Sequence, residues 1–384
     1  MVTALPAHDE MQKREVDIVS VFRSRPALRW LVPSAAAVVV IGGGAAAGTI
    51  AASADPSLPP RSAAQLLVDV QNAKIDGLSG TVVETADLGL PALSGLGSNG
   101  ADITKLVAGS NTARVWYAGE DKARVALVGT LGETDVIRNG SDVWTWRSAD
   151  NTATHLSIPA GSADKKPSAL PSGVPSTPQE AADAALAAID PTTSVSTTGA
   201  ASVAGRDAYE LVLAPKDSAS LIGQVRLAID AEQHIPLRVE VYAKGANNPA
   251  VRIAFQQISF AVPDAEQFTF NPPPGAKVNT EKPDELKKEA DSAKAQRTAG
   301  AKPTVVGTGW TSILVTKLPT GDAAAKGSDG VQAQSLIDAL PKVSGSWGSG
   351  HLLASSLFSA LVTDDGKVLV GAVAPEKLYE AAGK

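Results

Sequence analysis

Cysteine is absent from the 384 residues. Its absence excludes disulfides, thiol catalysis, Cys-ligated metals and a lipid-modified cysteine near the N-terminus. Aromatic residues are also scarce, at 4%, although 44% of the chain is hydrophobic. Much of the apolar content is alanine, which buries little area per residue. The four histidines, His8, His155, His234 and His351, are far apart, and none has zinc-protease spacing. No serine sits in a G-x-S-x-G elbow. Ser349 is close to His351 in "SWGSGH", but that stretch reads as a flexible turn. Basic residues are scattered and the net charge is −6, so nothing points to nucleic acid.

Two motif-like stretches have ordinary readings. "GLGSNG" spaces Gly95, Gly97 and Gly100 like a dinucleotide fingerprint. Pro91 breaks any preceding strand, and the segment after it is too short for the helix such a site needs. The acid pairs Glu120–Asp121 and Asp364–Asp365 sit at turns between strands, where acidic residues are routine. The chain reads as a non-enzyme that needs no cofactor or metal.

What the sequence does have is one long uncharged run. Residues 30–54, "WLVPSAAAVVVIGGGAAAGTIAASA", are long enough to span a bilayer. Arg23, Arg25 and Arg29 precede the run and Asp55 follows it. This charge asymmetry puts residues 1–29 in the cytoplasm and the rest outside. Ala52-Ser53-Ala54 also resembles a signal-peptide cleavage site. The long charged stretch before the run favours a retained single-pass anchor, and both alternatives export the remainder.

Beyond a Pro-rich spacer, Ser62 and Gln65 form a capping box ahead of a helix with Leu66, Leu67 and Val70 on one side. Short β-type runs follow: "GTVVET", "ARVWYA", "KARVALVG", "TDVIRNG", "DVWTWRS" and "TATHLSI". Their close spacing leaves no room for crossover helices and implies an antiparallel meander. Asn139-Gly140 marks a hairpin. Insertions at 88–110 and 161–176 interrupt the series. A helix is expected from Thr177 as N-cap, with Pro178 at the first position and Pro191 as its stop. "TSVST", "AYELVLA", "PAVRIAFQQISF" and "QFTFNPPPG" read as further strands. In "VRLAIDAEQHIPLRVEVY", Val225, Leu227 and Ile229 alternate on one face, and Leu237, Val239 and Val241 repeat the pattern after a turn. The first large unit ends near Val278. Residues 279–302 read as a charged linker with a helical stretch. Residues 303–384 form a small C-terminal unit with strands and a helix at "AQSLIDALPKV", too short for a large core of its own and expected to pack on the first.

Trp144 and Trp146 are two apart in one strand and share a face, and Trp116 is expected in a neighbouring strand. These tryptophans are candidates to line either a core or a pocket.

"SVAGRDAYELVLAPKD…VRLAIDAEQHIPLRVEVYAKG" resembles the central part of RseB/MucB-type regulators. The residues that carry the resemblance are Val203, Gly205, Arg206, Ala208, Leu211, Leu213, Pro215, Lys216, Asp217, Asp230, Pro236, Leu237 and Arg238. "FTFNPPPG" resembles the closing signature of the wider group, which includes LolA-type lipoprotein carriers and mycobacterial lipid-binding lipoproteins of the LppX kind. The resemblance covers 61–278 well and 305–382 loosely. It implies a mixed α+β fold: a strongly curved antiparallel half-barrel with helices on the concave face and a greasy cavity between. It also implies a lipid or a lipoprotein acyl chain as ligand, or the extracytoplasmic part of an anti-sigma factor as partner. Trp116, Trp144, Trp146, Leu211, Leu213, Leu227 and Val239 are the expected lining. The tethering segment departs from the soluble carriers.

Overall fold

The computed structural model describes residues 58–90, 108–129, 132–158, 191–282, 303–317 and 337–384. The apolar segment at 30–54, the helix from Thr177, the linker helix and the glycine-rich stretch lie outside these residues. So do the first four residues, 333–336, of the helix expected at "AQSLIDALPKV". Among the described residues, no helix is long and apolar enough to cross a membrane.

Helix α1 (Ala63–Asn72) begins at the expected capping box. The Ser62 side chain accepts from the Gln65 N–H at 3.2 Å, and Gln65 Oε1 accepts from the Ser62 N–H at 3.0 Å. Such a box satisfies two of the donors a helix start leaves open. Ala64, Leu66 and Val68 are buried, while Leu67 and Val70 pack half-buried against the same cluster.

The strands β1 (Leu78–Asp87), β2 (Ala108–Tyr117), β3 (Lys122–Gly129), β4 (Gly132–Asn139), β5 (Asp142–Arg147) and β6 (Thr152–Ser157) form the expected meander. Asn139 pairs with Asp142, so the β4–β5 loop is Gly140–Ser141, with Gly140 at φ +62°. A second series follows: β7 (Thr193–Val203), β8 (Arg206–Pro215), β9 (Ile222–Asp230), β10 (Pro236–Ala243) and β11 (Pro249–Ser259). The series meet where β11 pairs antiparallel with β1. Gly80 lies at that seam, and a Cβ there would fall 2.5 Å from the Gln257 carbonyl and 2.9 Å from the Phe255 ring.

"FTFNPPPG" is not a strand. Ala265–Phe268 forms a 3-10 turn, and the three prolines after it have no N–H to give a ladder. The chain then enters β12 (Lys277–Glu281), which joins β6 in parallel. Asn279 and Thr280, which composition had assigned to the linker, therefore lie in the sheet. The result is one large, curved, open sheet of twelve strands, in the order β12-β6-β5-β4-β3-β2-β1-β11-β10-β9-β8-β7. The described residues are mostly sheet, and among them α1 is the helix that covers it, where several helices were expected.

The C-terminal unit is a six-stranded sheet of β13 (Thr304–Val306), β14 (Ile313–Lys317), β15 (Lys342–Gly345), β16 (Gly348–Ala354), β17 (Ser359–Thr363) and β18 (Lys367–Gly371). Lys342 and Val343, expected to end a helix, begin β15 instead. Helix α2 (Pro375–Ala382) packs Leu378 and Ala382 onto Ile313, Leu361 and Leu369. This unit docks on the large sheet. The Leu221 N–H donates to the Ala372 carbonyl at 2.9 Å, and the Ser356 N–H donates to the Leu88 carbonyl at 2.8 Å. Leu357 is buried with Leu88 and Ala250, and Trp310 Nε1 donates to Thr193 Oγ1 at 2.7 Å.

Candidate functional site

Residues opposite each other in an antiparallel ladder share a face, so the strand register sorts the sheet's two sides. One row runs Leu211–Leu227–Val239–Ile253–Glu84–Asn111 across β8, β9, β10, β11, β1 and β2. Leu213, Val225, Val241 and Val251 form the next row. Helix α1 covers this face at the β7–β9 end, where Leu66, Tyr209, Leu211 and Ile229 are buried together. The apolar surface continues through Val82, Ala113, Val115, Ile253 and Phe255, all buried. A cleft lined by Val82, Leu237, Val239, Ile253 and Phe255 opens there, no larger than a water molecule.

The other face differs in character. Glu210, Arg226, Arg238, Glu240 and Arg252 form a ladder of ion pairs across β8–β11. Arg238 reaches Glu210 at 2.8 Å and Glu240 at 3.5 Å, and Arg252 reaches Glu240 at 3.3 Å. The same face carries a row Trp116–Arg124–Ile137–Trp144–His155. Trp116 is thus three strands from Trp144, not one. Arg124 lies 5.1 Å from the centre of the Trp116 ring and pairs with Asp135 at 3.1 Å. Trp144 stacks on His155 at 4.4 Å, and His155 meets Asp142 at 2.7 Å. Phe270 packs 5.3 Å from Trp144 and 6.0 Å from Trp146. The chain's own closing segment therefore occupies the space in front of these rings.

The register thus divides the seven expected lining residues. Leu211, Leu213, Leu227 and Val239 share the helix-covered face, and Trp116, Trp144 and Trp146 share the opposite one. Glu84 and Asn111 escaped the sequence reading. In "GTVVET", Val82 and Val83 are both apolar, and either phase of alternation is acceptable. The structure buries Val82 and turns Glu84 inward with it. Asn111 Nδ2 donates to Glu84 Oε2 at 2.9 Å. Burial pushes the Glu84 carboxyl above its usual range, and the Asn111 hydrogen bond only partly offsets this.

The motif residues do structural work at hairpin ends. Ala204 and Gly205, at φ +52° and +76°, form the two-residue β7–β8 turn, a geometry that favours glycine. Arg206 then grips Asp230, which is fully buried at the end of β9. Asp230 also accepts from the Glu232 N–H at 3.0 Å and the Gln233 N–H at 2.6 Å, which shapes the β9–β10 turn. Burial works against its charge, but Arg206 and these amides outweigh it and hold the carboxyl below the ordinary range. His234 completes this turn at φ +59°.

In the small unit Ser349 donates to the Asp364 carboxylate, while His351 Nδ1 lies 3.0 Å from the Leu340 carbonyl. The three do not form a hydrolytic relay. No group of three potential metal ligands occurs among the described residues.

The large sheet thus has a broad apolar face, partly under a helix, and a charged face behind it. Residues 106–274 match the family of the MucB/RseB N-terminal domain, a stretch shorter than half the chain. The likeness to the RseB/LolA-like superfamily is thereby shown. That group comprises extracytoplasmic binders, carriers and regulators rather than enzymes. No curated relative matches the chain. Among solved structures, the MucA/MucB complex of Pseudomonas aeruginosa is similar at 16% identity and a TM-score of 0.40, covering 83% of this chain and 96% of that one. LprF from Mycobacterium bovis is similar at 14% identity and a TM-score of 0.25, covering 53% of this chain and 96% of that one.

Proposed function

We propose that this protein binds a lipid or a lipoprotein acyl chain on the helix-covered face of the large sheet, outside the cytoplasm and tethered by residues 30–54. The observation that carries the proposal is the register row Leu211–Leu227–Val239–Ile253, an apolar track crossing four strands. Burial at about 25 cal/mol per Å2 holds a long acyl chain without any charged contact. The cleft is now too small for such a chain, so binding requires elements packed on this face, α1 among them, to move aside. Trp116, Trp144 and Trp146 stay outside this reading, because they lie on the other face.

The test is native mass spectrometry of residues 55–384, purified without detergent from their own host. A co-purifying lipid supports the reading and names the ligand class. A Val239→Glu variant places a charge on the track and should lose a bound fluorescent fatty acid; unchanged affinity refutes this location. A second reading is a regulator that binds the extracytoplasmic part of an anti-sigma factor, and the family match at 106–274 favours it. A pull-down that recovers no membrane regulator counts against it. The two are compatible if lipid is the signal.

A further inference from the structure

We propose that β7 is an interaction edge to which a second copy of this chain adds its own β7, antiparallel, about a twofold axis at Val195. The inference goes beyond the lipid-binding reading and does not depend on it. An edge strand presents a row of backbone donors and acceptors, and folded proteins guard such edges with short strands, charge or proline. Three of the four edges of the two sheets are guarded in this way. β12 has five residues, follows three prolines and carries Lys277 and Glu281. β13 has three residues, and β15 has four, beginning at Lys342. β7 ends the large sheet with eleven residues, "TSVSTTGAASV", and has neither charge nor proline. Its first half is regular: Thr193–Thr197 pair with β8 without a shift, and the irregularity comes after Thr197, where Gly199 has φ +110°. Among the described residues, β8 is the strand that pairs with β7. The small unit reaches β7 at its first residue, through the side chains of Trp310 and Thr193.

The regular half says which partner fits. "TSVST" reads the same in both directions. Antiparallel pairing about Val195 therefore sets like opposite like: Thr193 faces the partner's Thr197, Ser194 faces the partner's Ser196, and the two valines face each other. Cross-strand Thr and Ser pairs hydrogen-bond, and no charge in this stretch needs a counter-charge from elsewhere. A twofold contact of this kind is self-complementary and closes at two copies. Ser194 and Ser196 are exposed on one side of the strand. Val195 lies on the helix-covered side, opposite Leu213. The row Leu213–Val225–Val241–Val251 thus runs on through Val195 into the second copy.

The chain has no cysteine, so one introduced thiol reports on its own position. The experiment oxidises full-length variants in their own membranes and identifies linked peptides by mass spectrometry. Val195→Cys should give a covalent dimer linked between the two copies of that position, because directly opposite side chains come within reach of a disulfide. Ser202→Cys lies exposed on the same strand beyond the irregularity and meets no second thiol in this register, so its dimer yield should be about tenfold lower. Two charge patterns at exposed positions then test the register in the Val195→Cys chain. Ser194→Lys with Ser196→Lys sets like charges opposite each other twice and should cut the yield about tenfold, whereas Ser194→Glu with Ser196→Lys sets opposite charges together and should keep it. Co-expressed Ser194→Cys and Ser196→Cys chains, altered only at exposed sites, should link to each other. Absence of both kinds of linked dimer, equal yields from Val195→Cys and Ser202→Cys, or equal yields from the two charge patterns overturns the proposal. A Val195→Cys adduct with a different protein in place of the dimer overturns it too, by assigning the edge to another partner.

Discussion

Asp230 is the place to perturb the large sheet. It is fully buried, and Arg206 grips it through Nε and through Nη2 at 3.1 Å. Two turn amides add hydrogen bonds of 3.0 Å and 2.6 Å. Breaking a buried ion pair from one side costs about 3–5 kcal/mol, because the remaining charge is stranded. Arg206 softens that cost: its side chain is 26% exposed, it keeps Glu232 at 2.7 Å, and it lies 4.7 Å from the centre of the Phe260 ring. The low end applies, so Asp230→Ala should lose about 3 kcal/mol. Asp230→Asn keeps an acceptor for the turn and should lose about half as much, roughly 1.5 kcal/mol. Urea unfolding followed by tryptophan fluorescence reads both. The pH dependence supplies a second check. The folded-state pKa of Asp230 is depressed, so its charge contributes stability above the unfolded value, about 3.9. That contribution disappears as pH falls through the lower folded value. Wild type and Asp230→Asn should therefore differ at pH 7 and converge well below pH 3.9. A loss under about 1 kcal/mol for Asp230→Ala, or a gap between wild type and Asp230→Asn that persists in strong acid, would refute the clamp.

Three other outcomes are expected. Leu66→Ala empties a fully buried position between α1 and Tyr209, Leu211 and Ile229, and should cost about 2–4 kcal/mol by thermal denaturation. Trp310→Phe removes the hydrogen bond to Thr193, and should weaken docking of the small unit by about 1 kcal/mol, read as faster limited proteolysis between the units. Glu84 has a raised folded-state pKa, so its contribution is fully present below the unfolded value and is lost as pH rises through the folded one. Glu84→Gln should therefore gain stability over wild type at pH 8, with the gain shrinking toward pH 4, as measured by melting temperature across a pH series.

Much of the strand content was legible because turn residues punctuate it locally. Asn139-Gly140, Asp364-Asp365-Gly366 and the alternation on either side need no distant information. The capping box at Ser62 and Gln65 was equally local. What a single sequence does not encode legibly is which distant strands meet. The β1–β11 pairing joins Ser79 to Ser259, and only that join puts Glu84 in the same row as Leu227. Two consecutive valines at 82 and 83 left the phase of β1 open, and with it the inward direction of Glu84. The tryptophans illustrate the same limit. Their two-residue spacing correctly gave a shared face, but which face followed from the full register and from Phe270, more than a hundred positions away. β12 was missed because its residues, "KVNTE", have a linker's composition, and the ladder to β6 outweighs their weak strand propensity.

The β1–β11 seam also determines the order of events during folding. β1 is made early but borders a strand that emerges far later, at Pro249–Ser259. Until then one long edge of the nascent sheet stands open, a template for wrong pairing with any passing strand. Contacts this distant in sequence make folding slow, because a large loop must close before its reward arrives. A chain built this way spends its first moments dependent on whatever escorts unfinished proteins.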